Sequence, residues 1–135
     1  MQQVIHENKH YQIGIDKEKN RAFITIIGFW RNPGEVSEYL PDLDRALLQL
    51  QPGFTLLTDL SQMKTHPQTL NPVHLAAQQL LLSRGLTQTA EVVASSMVQF
   101  QTESLSRQSA MPLQQFSSPV EAIAYLDSVL LVPTP

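Results

Sequence analysis

The 135-residue chain contains no cysteine. This absence excludes disulfides, catalytic thiolates and cysteine-ligated zinc. Charged residues make up only 16% of the chain, and its nine lysines and arginines are scattered along the sequence. A protein that holds a phosphate backbone needs a concentrated basic stripe, so the composition argues against nucleic-acid binding.

Long apolar runs are also missing. No segment approaches the ~20 apolar residues that a bilayer-spanning helix needs, and residues 1–9 lack the apolar centre of a signal peptide. We therefore expect no transmembrane segment and a cytoplasmic location. With an apolar share of 42%, the chain is long enough to bury a core, which predicts one domain over residues 1–135.

Alternating and β-branched residues predict the strands. Five are expected, at 11–15, 22–28, 54–60, 90–98 and 113–116. The polar residues 17–20 between the first two strands predict a hairpin turn. Residues 1–9 and 132–135 are expected to be loose termini.

Apolar residues at spacings of three and four predict a helix from about residue 36 to residue 50. Pro41 lies inside this pattern and predicts a kink or a restart of the helix, because an interior proline removes a helix hydrogen bond. The apolar pattern continues through Pro41, which favours the kink. Asn71, followed by Pro72, predicts the N-terminal cap of a second helix that ends before Gly85.

Two more helices complete the order of elements. Thr102 is a candidate cap for a short helix that reaches about residue 109, and Ser118 with Glu121 forms a capping box for the last helix. The order is β-β-α-β-α-β-α-β-α. Strands separated by helices predict an α/β fold with a mostly parallel, mixed sheet.

The stretch 53–61 is the most informative part of the chain. Its strand turns polar at the carboxyl end, where Thr58, Asp59 and Ser61 reach the edge of the sheet at which α/β proteins build their sites. Together with the order of elements and the closing residues 116–123, this stretch resembles the STAS or SpoIIAA-like domains of bacterial anti-sigma-factor antagonists. The resemblance covers nearly the whole chain and implies a single STAS-like domain with a non-enzymatic, regulatory, protein-binding role.

The chain departs from these antagonists at one point. They carry a phosphorylatable serine in an Asp-Ser pair at the start of the next helix, and residues 65–72 contain no such pair. The first hypothesis is therefore a divergent regulatory module that binds a protein partner through the segment after Leu60 and the helix over 71–84. Its candidate phospho-acceptor or partner-loop residues are Thr58, Asp59, Ser61, Thr65 and Thr69. Ordinary turn and capping chemistry is the alternative reading of the same residues.

Two other functions stay open. Phe29, Trp30, Tyr39 and Leu40 could line a pocket for a small apolar, lipid-like ligand, although a lone tryptophan is often a core residue with its N–H bonded locally. Asp59, Ser61 and His66 contain the residue types of a hydrolytic triad. The Gly-x-Ser-x-Gly pattern is absent and nothing marks an oxyanion hole, so no residue is assigned as catalytic.

No cofactor or metal is predicted. His6 and His10 have the i, i+4 spacing of a metal-binding pair, but their segment has no helical signal, which favours a solvated pair. The three consecutive leucines at 80–82 leave one side chain facing outward, which would suit a protein partner or a homodimer. Met97 and Val98 are expected to pack beneath that helix.

Overall fold

The described residues form one six-stranded sheet in which strands that are neighbours in the sequence pair with each other, so the order within the sheet is the order of the sequence. The computed structural model describes residues 2–130. The strands are β1 (Gln3–Glu7), β2 (Tyr11–Asp16), β3 (Arg21–Ile26), β4 (Thr55–Asp59), β5 (Gln88–Val92) and β6 (Gln114–Phe116). β1 to β3 form an antiparallel meander, and β3 to β6 run parallel. The predicted mixed, mostly parallel α/β sheet is confirmed.

Four helices connect or follow the parallel strands. They are α1 (Tyr39–Leu47), α2 (Asn71–Ser83), α3 (Ser96–Ser109) and α4 (Pro119–Leu130), with short 3-10 turns at Pro33–Val36 and Gln68–Leu70. α1, α2 and α3 pack side by side over one face of the sheet, and α4 packs on β4, β5 and β6 from the other face.

The two faces hold cores of different size. Ile24 and Leu56 belong to the large core beneath α1 to α3. Leu57, next to Leu56 on β4, points the other way and joins Ala122 and Leu126 of α4 in a small second core. The strands that carry both cores are apolar on both faces, as expected for parallel strands covered by helices.

The N-terminal residues are more ordered than expected. Gln3–Glu7 forms β1, which pairs with β2 from Gln3 opposite Ile15 to Glu7 opposite Gln12. This pairing satisfies backbone groups that would otherwise leave β2 as an open edge. The register shifts between Val4 and His6, which marks a bulge. The expected loose residues 132–135 lie outside the described residues.

Helix α1 begins later than the apolar pattern predicts. It starts at Tyr39, so Pro41 lies in its first turn, where a backbone N–H has no partner within the helix. The chain therefore restarts a helix before Pro41, and the predicted continuous helix with a kink is wrong. The apolar residue Val36 belongs to the preceding 3-10 turn.

The boundary between β5 and α3 also differs from the prediction. β5 ends at Val92, which is the partner of Asp59, the last residue of β4. Ser95 then caps α3 by accepting a hydrogen bond from the Val98 N–H. Met97 and Val98, predicted to lie in a strand beneath α2, are on α3. Val98 is buried and Met97 is 68% exposed.

Of three predicted helix caps, one lies inside its helix, one is the first residue of its helix, and one is confirmed. Thr102 lies in the middle of α3, where its hydroxyl donates to the Val98 carbonyl. Asn71 is the first residue of α2 rather than its cap. Ser118 Oγ accepts from the Glu121 N–H, as the capping-box pattern predicts.

Candidate functional site

The carboxyl end of β4 forms a tight polar turn. Asp59 Oδ1 accepts hydrogen bonds from the Ser61 N–H at 2.9 Å and from the Ser61 hydroxyl at 2.6 Å. Thr58 points to the opposite face and is buried beneath the helices. The carboxylate of Asp59 therefore shapes the turn, as the alternative turn reading has it.

The segment after this turn is fastened to the loop that follows β3. The Gly28 N–H donates to the Gln62 carbonyl, and the Lys64 N–H donates back to the Gly28 carbonyl. Gly28 has a φ of +69°, which is readily adopted by glycine. Farther along, the Gln101 side chain of α3 exchanges two hydrogen bonds with the backbone of His66. We call the segment over residues 61–70 the partner loop. These hydrogen bonds hold it at a fixed position between β3 and α3.

Two imidazoles lie side by side on the face of the only tryptophan. The ring of His66 is 4.9 Å from that of Trp30 and the ring of His74 is 5.3 Å away, both nearly parallel to the indole. His66 Nδ1 and His74 Nε2 are 3.0 Å apart, and His66 Nε2 is 3.1 Å from the Gly28 carbonyl oxygen. We call Trp30, His66 and His74 the imidazole stack.

The hydrogen-bond partners of the two imidazoles determine which ring nitrogens carry protons. A carbonyl oxygen only accepts, so His66 Nε2 carries a proton and donates it to Gly28. In the neutral ring His66 Nδ1 then accepts from His74 Nε2–H. Burial, together with the smaller effect of the neighbouring His66, lowers the pKa of His74 to about 4. Burial also lowers the pKa of His66, against the bond to Gly28 that raises it.

The three residue types of a hydrolytic triad do not form a relay. The Ser61 hydroxyl donates to Asp59, and both ring nitrogens of His66 are engaged, with Gly28 and with His74. No hydrogen bond joins His66 to Ser61 or Asp59 within residues 2–130. The arrangement therefore lacks the nucleophile-to-base contact that such a hydrolase requires.

The four residues predicted for an apolar pocket lie in different environments. Trp30 is fully buried and its indole N–H donates to the His10 carbonyl at 3.0 Å. Tyr39 is buried, Leu40 is half-buried, and Phe29 is 47% exposed. Tyr39 is the one of the four that lines the internal cavity described next. Trp30 thus matches the alternative reading of a core residue with a local hydrogen bond.

An internal cavity of about 50 Å³ lies between the sheet and the helices α2 and α3. Its walls are mostly apolar, with Thr58, His74, Gln78, Glu91 and Thr102 as polar lining residues. A single water needs roughly 10–15 Å³ on this measure, so the space suits a few waters and is far too small for a lipid chain.

Glu91 is the residue that the sequence reasoning missed. It is 4% exposed, and burial raises its pKa to about 7. The signal in the sequence was a lone carboxylate between the apolar Ala90 and Val92 of a predicted strand. The sequence analysis considered His66 only as part of a possible triad, and its contact with His74 depends on the tertiary structure.

A surface groove of about 270 Å³ runs between the partner loop and α3. Thr65, Gln68 and Asn71 line one side, and Met97 and Phe100 are among the residues that line the other. Phe100 is 70% exposed. Thr69 is exposed in the 3-10 turn before α2. We call this the loop–α3 groove.

Among residues 2–130, no three histidine, aspartate or glutamate side chains gather closely enough to hold a metal ion. His6 lies 3.5 Å from the Asp42 carboxylate rather than beside His10 as a ligand pair. No helix in the described part of the chain has the length and apolar character needed to cross a membrane.

Comparison with known proteins identifies the fold. No protein-family model and no curated protein sequence matches the chain. Its structure is similar to the crystal structure of an uncharacterized DUF3478-family protein with a SpoIIAA-like fold from Shewanella loihica PV-4. The TM-score is 0.66 at 15% identity, over 90% of this chain and 97% of the other. The resemblance expected from residues 53–61 and the order of elements is thereby confirmed at the level of the fold, and the chain has a SpoIIAA-like fold.

Proposed function

We propose that this protein is a non-enzymatic regulatory module that binds a protein partner through the loop–α3 groove. The observation that carries the proposal is the pair of exposed apolar side chains, Met97 and Phe100, beside this groove. Burying large apolar side chains in a partner supplies much of the free energy of protein association. None of the described residues that line the groove is charged, so the partner surface it fits is apolar with amide or hydroxyl groups at its rim.

The partner loop supports this proposal by its position. Thr65 lines the groove directly, and hydrogen bonds to Gly28 and Gln101 hold the loop in place before any partner arrives. A surface that is already ordered loses less conformational entropy on binding. Thr65 and Thr69 remain the proposed phospho-acceptors, since added phosphate beside an uncharged groove would change its partner preference strongly.

The experiment compares partner recovery by three forms of the chain expressed in the same cells. The double variant Met97→Ser/Phe100→Ser removes the apolar side chains of the groove. Leu48→Ser is the matched control, since Leu48 is 61% exposed at the end of α1. Quantitative mass spectrometry of the co-purified proteins should show a partner that the double variant loses at least tenfold and the control retains.

Identical recovery by all three forms would contradict a role for the groove. A second arm replaces Asp59, Ser61 and Thr69 with alanine. If partner recovery were unchanged there while the Met97→Ser/Phe100→Ser variant lost it, binding would rest on the α3 side of the groove and not on the loop.

A further inference from the structure

Three neighbouring strands place one polar side chain each in a row beneath α3. Thr58 of β4 is paired with Glu91 of β5, and Glu91 is paired with Gln115 of β6. Gln115 Nε2 donates to Glu91 Oε1 and to the Thr102 hydroxyl of α3, both at 3.1 Å. The Gln115 amide thus bonds both the Glu91 carboxyl of β5 and Thr102 of α3. We call these residues the Glu91 row.

The surroundings of Glu91 favour a neutral carboxyl. Its side chain borders the internal cavity and is 4% exposed, and among residues 2–130 no lysine or arginine lines that cavity. A buried carboxylate without a cationic partner is costly. The protonated form keeps the Gln115 contact, because its carbonyl oxygen still accepts.

The ionisable side chains around Glu91 come from α1, α2 and α3. α1 and α2 contribute Tyr39 and His74, which line the same cavity. α3 contributes Glu103, whose negative charge disfavours ionisation of Glu91. β4 and β6 contribute the uncharged side chains Thr58 and Gln115.

We propose that Glu91 is a proton-dependent anchor for α3: the neutral carboxyl lets α3 pack over it, and release of the proton to water favours a loosened α3 that lets water reach the carboxylate. The cavity beside the carboxyl gives water a place to enter when Glu91 ionises. Burial, the largest cause, raises the pKa of Glu91 to about 7, although the hydrogen bond from Gln115 lowers it. The anchor therefore titrates in the neutral range.

This inference is independent of the proposed partner, because it concerns the chain alone. Other contacts keep α3 attached at its middle and at its C-terminal end. Gln101 bonds the backbone of His66, and Ser109 donates to the Gln78 side chain of α2. Release of the anchor is thus a loosening of α3, which also carries Met97 and Phe100.

Hydrogen exchange of α3 amides across pH tests the proposal. With protection factors corrected for the intrinsic exchange rate, residues 96–109 should lose protection about tenfold per pH unit from about pH 5 to pH 7, and then level off. Amides of α1 serve as an internal reference and should lose less. Glu91→Gln, which stays neutral, should abolish the pH dependence in α3. Glu103→Gln makes the same chemical change at a partly exposed site on α3 and should retain it.

Two results would overturn the proposal. One is a pH dependence of α3 that persists in Glu91→Gln, and the other is an equal loss of protection in α1 and α3, which would mean global unfolding. If Glu91→Gln failed to fold, a carboxyl-carbon NMR titration of the unchanged chain would decide. Glu91 should titrate in the neutral range together with the α3 amides, and titration at an ordinary glutamate pKa would reject the anchor.

Discussion

The imidazole stack and the Glu91 row both bury ionisable side chains on the face of the sheet that α1 to α3 cover. The two groups of residues respond to pH in opposite directions. His74 and Glu91 even line the same cavity. Burial lowers the pKa of His74 to about 4 and raises that of Glu91 to about 7. Both groups are therefore neutral over the same pH range, the histidine because it has lost its proton and the glutamate because it has kept one.

The two regions differ in what surrounds the buried group. Both ring nitrogens of His66 have partners, and the indole of Trp30 covers the imidazole faces. The imidazole stack is thus a packed structural unit. Glu91 has an amide partner on one oxygen and a cavity beside it, so its environment can change when it ionises. The comparison teaches that similar burial produces a rigid support in one place and a titratable contact in the other.

Removing the indole should have the largest effect. Trp30→Ala deletes a fully buried side chain on which both imidazoles rest, and we expect a loss of about 3–5 kcal/mol in the free energy of unfolding. Urea denaturation at pH 7 measures it. Phe29→Ala, at the adjacent and 47% exposed position, is the control and should cost roughly 1 kcal/mol or less. Equal losses for both variants would show that the stack adds nothing to the core.

His74→Gln should remove part of the acid sensitivity. Because the folded-state pKa of His74 is lowered to about 4, the unfolded chain binds the extra proton as the pH falls below the ordinary histidine pKa. The parent therefore loses about 3 kcal/mol of stability from this group on acidification from pH 6.5 to pH 4. Urea midpoints at pH 4, 5.5 and 7 should fall less steeply with acid in the variant. His10→Gln, outside the stack, should keep the slope of the parent, and an unchanged slope in His74→Gln would refute the prediction.

Glu91→Gln should act at the other end of the pH scale. A raised pKa means that the folded chain retains a proton that the unfolded chain loses, so this group reduces stability as the pH rises from about 4.5 to 7. From pH 4 to pH 8 the stability of the variant should therefore rise by about 3 kcal/mol relative to the parent, while desolvation of the buried amide lowers the variant by the same amount at both pH values. Thermal or urea unfolding at the two pH values measures the difference. A constant difference at both would show that ionisation of Glu91 is not involved.

Local sequence patterns predicted the strands and the fold class well because those patterns follow burial. Ile13 and Ile15 alternate with residues that face the other side of β2. The predicted strand over residues 54–60 contains β4. The end of β5 could not be found in this way. Its length is set by β4, since Val92 pairs with the last residue of that strand, while Val98 continues the β-branched composition into a helix. β1 was missed because its pairing with β2 is a tertiary contact that its own polar sequence does not announce.

The candidate site was only partly predictable for a similar reason. The turn of Asp59 and Ser61 is local and follows from the residue types. The contact of His66 with His74, and the row formed by Glu91 and Gln115, join residues from different elements. No repeating pattern in the sequence predicts such contacts. The one local sign was Glu91, a glutamate between apolar residues of a predicted strand.

The sequential order of the strands has a consequence for synthesis on the ribosome. Every strand pairs with the one made just before it, so the sheet can grow from the N-terminal end without waiting for a distant segment. The small core is the exception, since Leu57, Ala90 and Val92 are covered only when α4 arrives at the end of the chain. A nascent chain stalled before residue 119 would expose that apolar face to water until α4 emerges.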